Sequence, residues 1–188
     1  MDLSAKTKKH KGFSFIEVML SVFLISVGLI SVMGLVSASL RNSIDSRDQT
    51  VASLLAEEGV EVMRNIRDNN CLEKCGYGTS FNNIPVNNTN CIVDSGTTSM
   101  SASDCDKSLA DETLYYSSAG LYNKGKFGTS TKFKRRIDIN SPSSGEIVVT
   151  SMVSWGSLDL TAATINTCTT ANRCAYTAVT LTSWEETP

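Results

Sequence analysis

The chain has 188 residues, with 17 basic and 19 acidic side chains and an apolar fraction of 41%, enough for one domain plus an anchor. A formal charge of −2 gives no global electrostatic case for nucleic-acid binding. The single histidine, His10, leaves no Ser-His-Asp or Cys-His pair to build beyond the N-terminal tip.

The tip, residues 1–12, is polar and basic, with Lys6, Lys8, Lys9 and Lys11 ahead of Gly12. The next segment, 13–40, reads as a membrane-spanning helix. From Val18 to Leu40 it holds 23 residues without a charge. At helical rise that is roughly 34 Å, enough to cross a hydrocarbon core of about 30 Å. A secretory signal has a shorter apolar stretch of about 7–15 residues, although Val36-Ser37-Ala38 does resemble a cleavage site. The lysines place the N-terminus on the cytoplasmic side, so residues 41–188 are expected outside. One carboxylate, Glu17, stands at the start of the apolar run. Deep in a bilayer an ionised side chain costs about 2.5–3.5 kcal/mol and calls for a partner. Near the interface it would simply reach water.

The helical pattern continues past the anchor. Ile44, Val51, Leu55, Val62 and Ile66, flanked by Leu54 and Met63, recur on one face, with Arg47, Asp48, Glu57, Glu61 and Arg64 opposite. No proline precedes Pro85, and Asn69-Asn70 is the expected stop.

Residues 71–131 are rich in Gly, Ser, Thr and Asn and read as loops with short strands. In the last third Phe133, Ile137 and Ile139 alternate with Lys134, Arg136 and Asp138. Ile147, Val149, Val153 and Trp155 alternate with Val148, Thr150, Met152 and Ser154, and Val179 and Leu181 with Thr180 and Thr182. Period-two patterns with one polar face imply half-buried antiparallel strands. The helix has an apolar face and the sheet can cover it. The fold class is therefore α+β, a long N-terminal helix packed on a C-terminal antiparallel sheet.

All six cysteines lie beyond the anchor. An even count outside the cytoplasm reads as a disulfide framework. Cys168 and Cys174 enclose a five-residue loop and suggest a local bridge. Cys71, Cys75, Cys91 and Cys105 allow three pairings, of which Cys91–Cys105 with Cys71–Cys75 is favoured; a four-cysteine zinc site is the competing reading.

The stretch Lys11-Gly12-Phe13-Ser14-Phe15-Ile16-Glu17-Val18-Met19-Leu20, with Lys8 and Lys9 ahead of it, resembles the processing site of type IV pilins and prepilin-like proteins. The resemblance implies cleavage between Gly12 and Phe13 by a prepilin peptidase and N-methylation of Phe13. It implies a leader at 1–12, a membrane-spanning and filament-core helix at 13–40, and a pilin-like extracytoplasmic domain at 41–188. It also gives Glu17 an assembly role: in a filament it would face the cationic amine of Phe13 on a neighbour. An α-amine is mostly charged at neutral pH, and the pair would fix register rather than supply net stability. The partners implied are other pilin subunits, the peptidase and methyltransferase, an inner-membrane assembly platform and membrane lipid. The subunit would be single-pass in the inner membrane with its N-terminus inside, then part of a filament. A looser match, Gln49 to Glu58 followed by strands ending in Trp155 and Trp184, is similar to PilV-type minor pilins. Many pilins bend their apolar half at a proline; this chain has Gly28 and Gly34 instead.

The resulting expectation is a structural minor pilin, not an enzyme, with no cofactor and no metal. A pseudopilin of type II secretion or competence is the near alternative, and a single-pass anchored binding domain the distant one. Asp104, Asp106, Ser108 and Asp111 fail the calcium-loop pattern at Leu109 and Tyr115. Lys124, Lys126, Lys132, Lys134, Arg135 and Arg136 form a basic cluster that reads as a solvated strand face rather than a phosphate site. Asn87-Asn88-Thr89 is a glycosylation triplet by pattern alone.

Overall fold

A computed structural model gives the fold; it describes residues 12, 14–73, 81, 84–105, 112–124, 128–143 and 145–183, with side chains for all of these but 71–73. Helix α1 runs Phe15–Glu73. It continues three residues past Asn70, so the two asparagines do not stop it. Among the described residues six strands follow: β1 (Asn88–Cys91), β2 (Thr113–Tyr116), β3 (Tyr122–Asn123), β4 (Thr129–Ser143), β5 (Glu146–Ser154) and β6 (Cys174–Thr182). They form one antiparallel sheet in the order β3-β2-β4-β5-β6. β1 also pairs with β4, using its C-terminal half while β2 uses the N-terminal half. The chain is α+β, with one long N-terminal helix followed by this sheet. It divides into two compact units, up to Asp45 and from Ser46 onward.

In the first unit the side chains from Phe15 to Asp45 are all exposed. In the second, α1 buries Asp48, Ala52, Leu55, Ala56, Val60, Val62, Met63 and Ile66. Spacings of three and four put these on one stripe. The stripe is rotated from the expected one. Leu54 and Ile44 are exposed, and Asp48, expected on the solvent face, is buried, where Lys132 pairs with its carboxylate. An ion pair at the edge of a core accommodates a charge that the apolar count alone assigned to water.

Gly59 allows the closest approach of helix and sheet. A Cβ there would lie 2.5 Å from Ser151 Oγ and 3.3 Å from Ile137 Cδ1. The pairing Arg135↔Val153, Ile137↔Ser151 and Ile139↔Val149 sets these residues on the helix-facing side of the sheet. Ile137, Ile139 and Val149 join Val60, Met63, Ile66, Cys91 and Leu181 in one core cluster, and Val153 packs with Ala52, Leu55 and Phe133 in another. The β4–β5 hairpin turns at Gly145, whose φ of 83° favours a residue without Cβ.

The opposite face of the sheet corrects the sequence expectation. Arg136, Asp138, Thr150, Met152 and Ser154 were assigned to a solvated face, and all are buried. The segment after β5 covers them. Leu160, which opens its short 3-10 turn at Leu160–Ala162, and Ala163, which caps that turn, pack with Met152, Cys168 and Cys174 in a second-side cluster. Alternation along a strand reports polarity, but a loop can cover a polar face when each polar group finds a partner.

Candidate functional site: the N-terminal motif

The motif sits where α1 begins. Gly12 and Ser14 precede it, both exposed. The Ser14 carbonyl accepts the N–H of Glu17 at 3.0 Å and of Val18 at 3.3 Å, which starts the helical ladder. Glu17 is the acidic residue of the first turn, where the free N–H groups favour a negative side chain. Its side chain is exposed. Phe13, Lys8, Lys9 and Lys11 lie outside the described residues.

Beyond Glu17 the helix carries polar groups that are satisfied within it. Ser21 Oγ donates to the Glu17 carbonyl at 2.7 Å, Ser31 Oγ to Val27 at 3.0 Å, and Ser26 Oγ to Val22. Serine bonded back to the preceding turn presents no bare donor, as an apolar surrounding requires. Around these serines Phe23, Leu24, Ile25, Leu29, Ile30, Met33 and Leu35 are each more than half exposed. An apolar surface of this length exceeds the few hundred Å² that a soluble monomer leaves bare. Its chemistry is that of a surface covered by lipid or by other apolar helices. The segment is long and apolar enough to cross a membrane.

Residues 7–33 match the family model described as the prokaryotic N-terminal methylation motif. The chain carries a prepilin-type N-terminus. The match spans Lys8, Lys9, Lys11, Gly12, Phe13, Glu17 and most of the apolar run. It supports a prepilin-like chain of the type IV pilin kind, handled by a prepilin peptidase, assembling with other pilins and anchored in a membrane through this helix. No curated protein and no solved structure matches the chain.

The remaining candidate residues take other roles. Cys91 and Cys105 are disulfide-bonded, as are Cys168 and Cys174. The first bridge removes Cys91 and Cys105 from any zinc site, because a disulfide sulfur offers no thiolate. Cys71 lies on the last turn of α1 and Cys75 outside the described residues. Asp104 accepts hydrogen bonds from the N–H and Oγ of Ser101, both at 3.0 Å, and pairs with Lys124 at 3.2 Å. These partners hold its carboxyl below the ordinary range, against desolvation by burial, the largest single influence and an opposing one. Asp106, Ser108, Asp111 and Lys126 are outside the described residues. Asn87 adopts a positive φ of 58°, and its Oδ1 accepts the N–H of Ser141 at 3.0 Å.

The basic cluster is a solvated face only in part: Lys132 is exposed and Lys134 half-buried, but both arginines are buried. Arg135 is fully buried on the helix side, donating to the carbonyls of Leu55 at 3.2 Å and Val93 at 2.6 Å and pairing with Glu58 at 3.3 Å. Arg136 is buried on the other side, held by Asp138 and the Leu160 carbonyl. The two guanidinium groups are structural cross-braces. Glu112 is a further buried charge-bearing group that sequence reasoning missed, since a lone glutamate in a loop-rich stretch gives no signal.

Proposed function

We propose that this chain is a prepilin-like filament subunit of the minor pilin kind. It is inserted in the inner membrane with its lysine-rich tip inside, cut between Gly12 and Phe13, methylated on Phe13 and built into a type IV pilus or related filament. The observation that carries this reading is the placement of Glu17. It stands in the first turn of a helix that carries no other charge before Arg41 and is exposed up to Asp45, five residues from the glycine of the matched motif.

The physical logic is economical. Removal of the tip strips four lysines from the helix end and leaves one cation, the new α-amine. Lateral packing of bare apolar helices drives association but is poorly directional. A single carboxylate one turn from that amine adds direction. Within one subunit Phe13 and Glu17 are four residues apart and can pair on the helix surface. Between subunits the same groups can pair across an apolar seam, where an unpaired charge is costly.

Cross-linking from single cysteines placed at Val18 or Met19 in the native host tests the assembly step. Adducts with other pilins are expected. Adducts with lipid alone would sink the filament reading and leave an anchored domain. Glu17→Ala is expected to be processed yet absent from filaments; normal incorporation would remove the register role.

A further inference from the structure

Glu112 stands immediately before β2, and its backbone carbonyl accepts the N–H of Arg135 at 2.8 Å. Its side chain is fully buried, and among the described residues neither carboxyl oxygen has a hydrogen-bond partner. The charged groups that act on it are Arg136, Lys134 and Asp138 on β4, and Asp159 on the segment after β5. Arg136 is already engaged. Its Nε donates to Asp138 Oδ1 at 2.8 Å, its Nη2 pairs with Asp138 Oδ2, and its Nη1 donates to the Leu160 carbonyl. Leu160 opens the 3-10 turn that covers Met152 and the Cys168–Cys174 bridge.

A buried carboxyl without a donor is tolerated as the neutral acid and costly as the anion. Burial pushes Glu112 up from 4.5 to about 7; Arg136 and Lys134 oppose this, and Asp159 and Asp138 add to it. We propose that Glu112 and Arg136 form a proton-linked latch on the Asp159–Ala163 segment. With Glu112 neutral, Arg136 serves Asp138 and the Leu160 carbonyl, and the segment is closed. When the proton passes to water, a second carboxylate competes for the same guanidinium. Any opening that admits water then stabilises the buried anion. In the open form Glu112 ionises as an ordinary carboxyl. Closure is therefore favoured in full below about pH 4.5, and that preference is lost as pH rises through about 7. Opening exposes Met152 and the disulfide beneath, giving the domain a surface graded by the acidity outside the cell membrane.

Hydrogen exchange of the full chain in detergent micelles, read by mass spectrometry at pH 6 and pH 8 and corrected for intrinsic rates, tests this. Exchange in peptides spanning 156–163 is expected to rise about tenfold between those pH values, with peptides from 147–153 unchanged. Glu112→Gln is expected to stay protected at both. Asp159→Asn removes an exposed anion and leaves the carboxyl in place; it is expected to move the transition to lower pH, and it carries the test if the glutamine variant does not fold. An identical pH response in Glu112→Gln would overturn the latch. So would an Asp159→Asn transition unmoved or moved upward, or a wild type with no pH response.

Discussion

Arg135→Met is the substitution that tests the core of the second unit most sharply. The guanidinium is 1% exposed, and it links α1, through the Leu55 carbonyl and Glu58, to the loop after β1, through the Val93 carbonyl. Removing it strips the Val93 carbonyl of a short 2.6 Å bond and leaves the Leu55 carbonyl and Glu58 without this donor. Each abandoned buried acceptor costs about 1–3 kcal/mol. Glu58 is 34% exposed and can regain water, so its share falls at the low end. Methionine refills much of the volume with apolar contact. The expected net loss is about 3 kcal/mol, at the lower end of the range of about 3–5 for a fully buried pair broken on one side. Urea unfolding of the full chain in micelles, disulfides intact and followed by Trp155 fluorescence, measures it. In a thermal melt of a unit of this size the same loss corresponds to a midpoint lowered by about 6–12 °C. A loss under about 1 kcal/mol would refute the view that Arg135 braces helix against sheet.

Gly59→Val should destabilise by about 1–3 kcal/mol through overpacking against Ser151 and Ile137. Combining it with Ser151→Gly should recover part of the loss in the same urea assay, and strict additivity would contradict the close approach. Reducing Cys91–Cys105, with a separation of 14 residues, should cost more than reducing Cys168–Cys174, with a separation of 6, about 3 against about 2 kcal/mol by loop entropy. Paired Cys→Ala variants separate the two bridges, and the reverse order would point to strain or residual structure instead. Asp48→Asn should cost less than about 1 kcal/mol, because its partner Lys132 is half exposed; a loss above about 2 would show that the pair is shielded from water.

The elements that sequence made legible are those with strong period. The 23 charge-free residues and the amphipathic continuation mark one helix, and Phe133 to Ile139 and Ile147 to Trp155 mark the two central strands. Alternation failed where a loop supplied the cover. Nothing in Lys134-Arg135-Arg136 says that the second residue serves two backbone carbonyls and the third a carboxylate and a carbonyl from another segment. Asp138 is two residues from Arg136, but the three carbonyl partners are 24 to 80 residues away, beyond the reach of local pattern. Asp48 was misplaced for the same reason, since its partner Lys132 comes from a strand 84 residues on. The N-terminal motif was readable because its chemistry is local: a basic tip, a glycine, and a carboxylate one helical turn into an apolar run.

The central claim is that Glu17 is kept in an apolar helix to meet an amine made at Phe13. Intact-mass and N-terminal peptide mass spectrometry of the chain purified from its native membrane is the most direct test. The account predicts a mature chain beginning at methylated Phe13, with residues 1–12 absent. A chain that still carries its lysine tip, with Gly12 joined to Phe13, would contradict it.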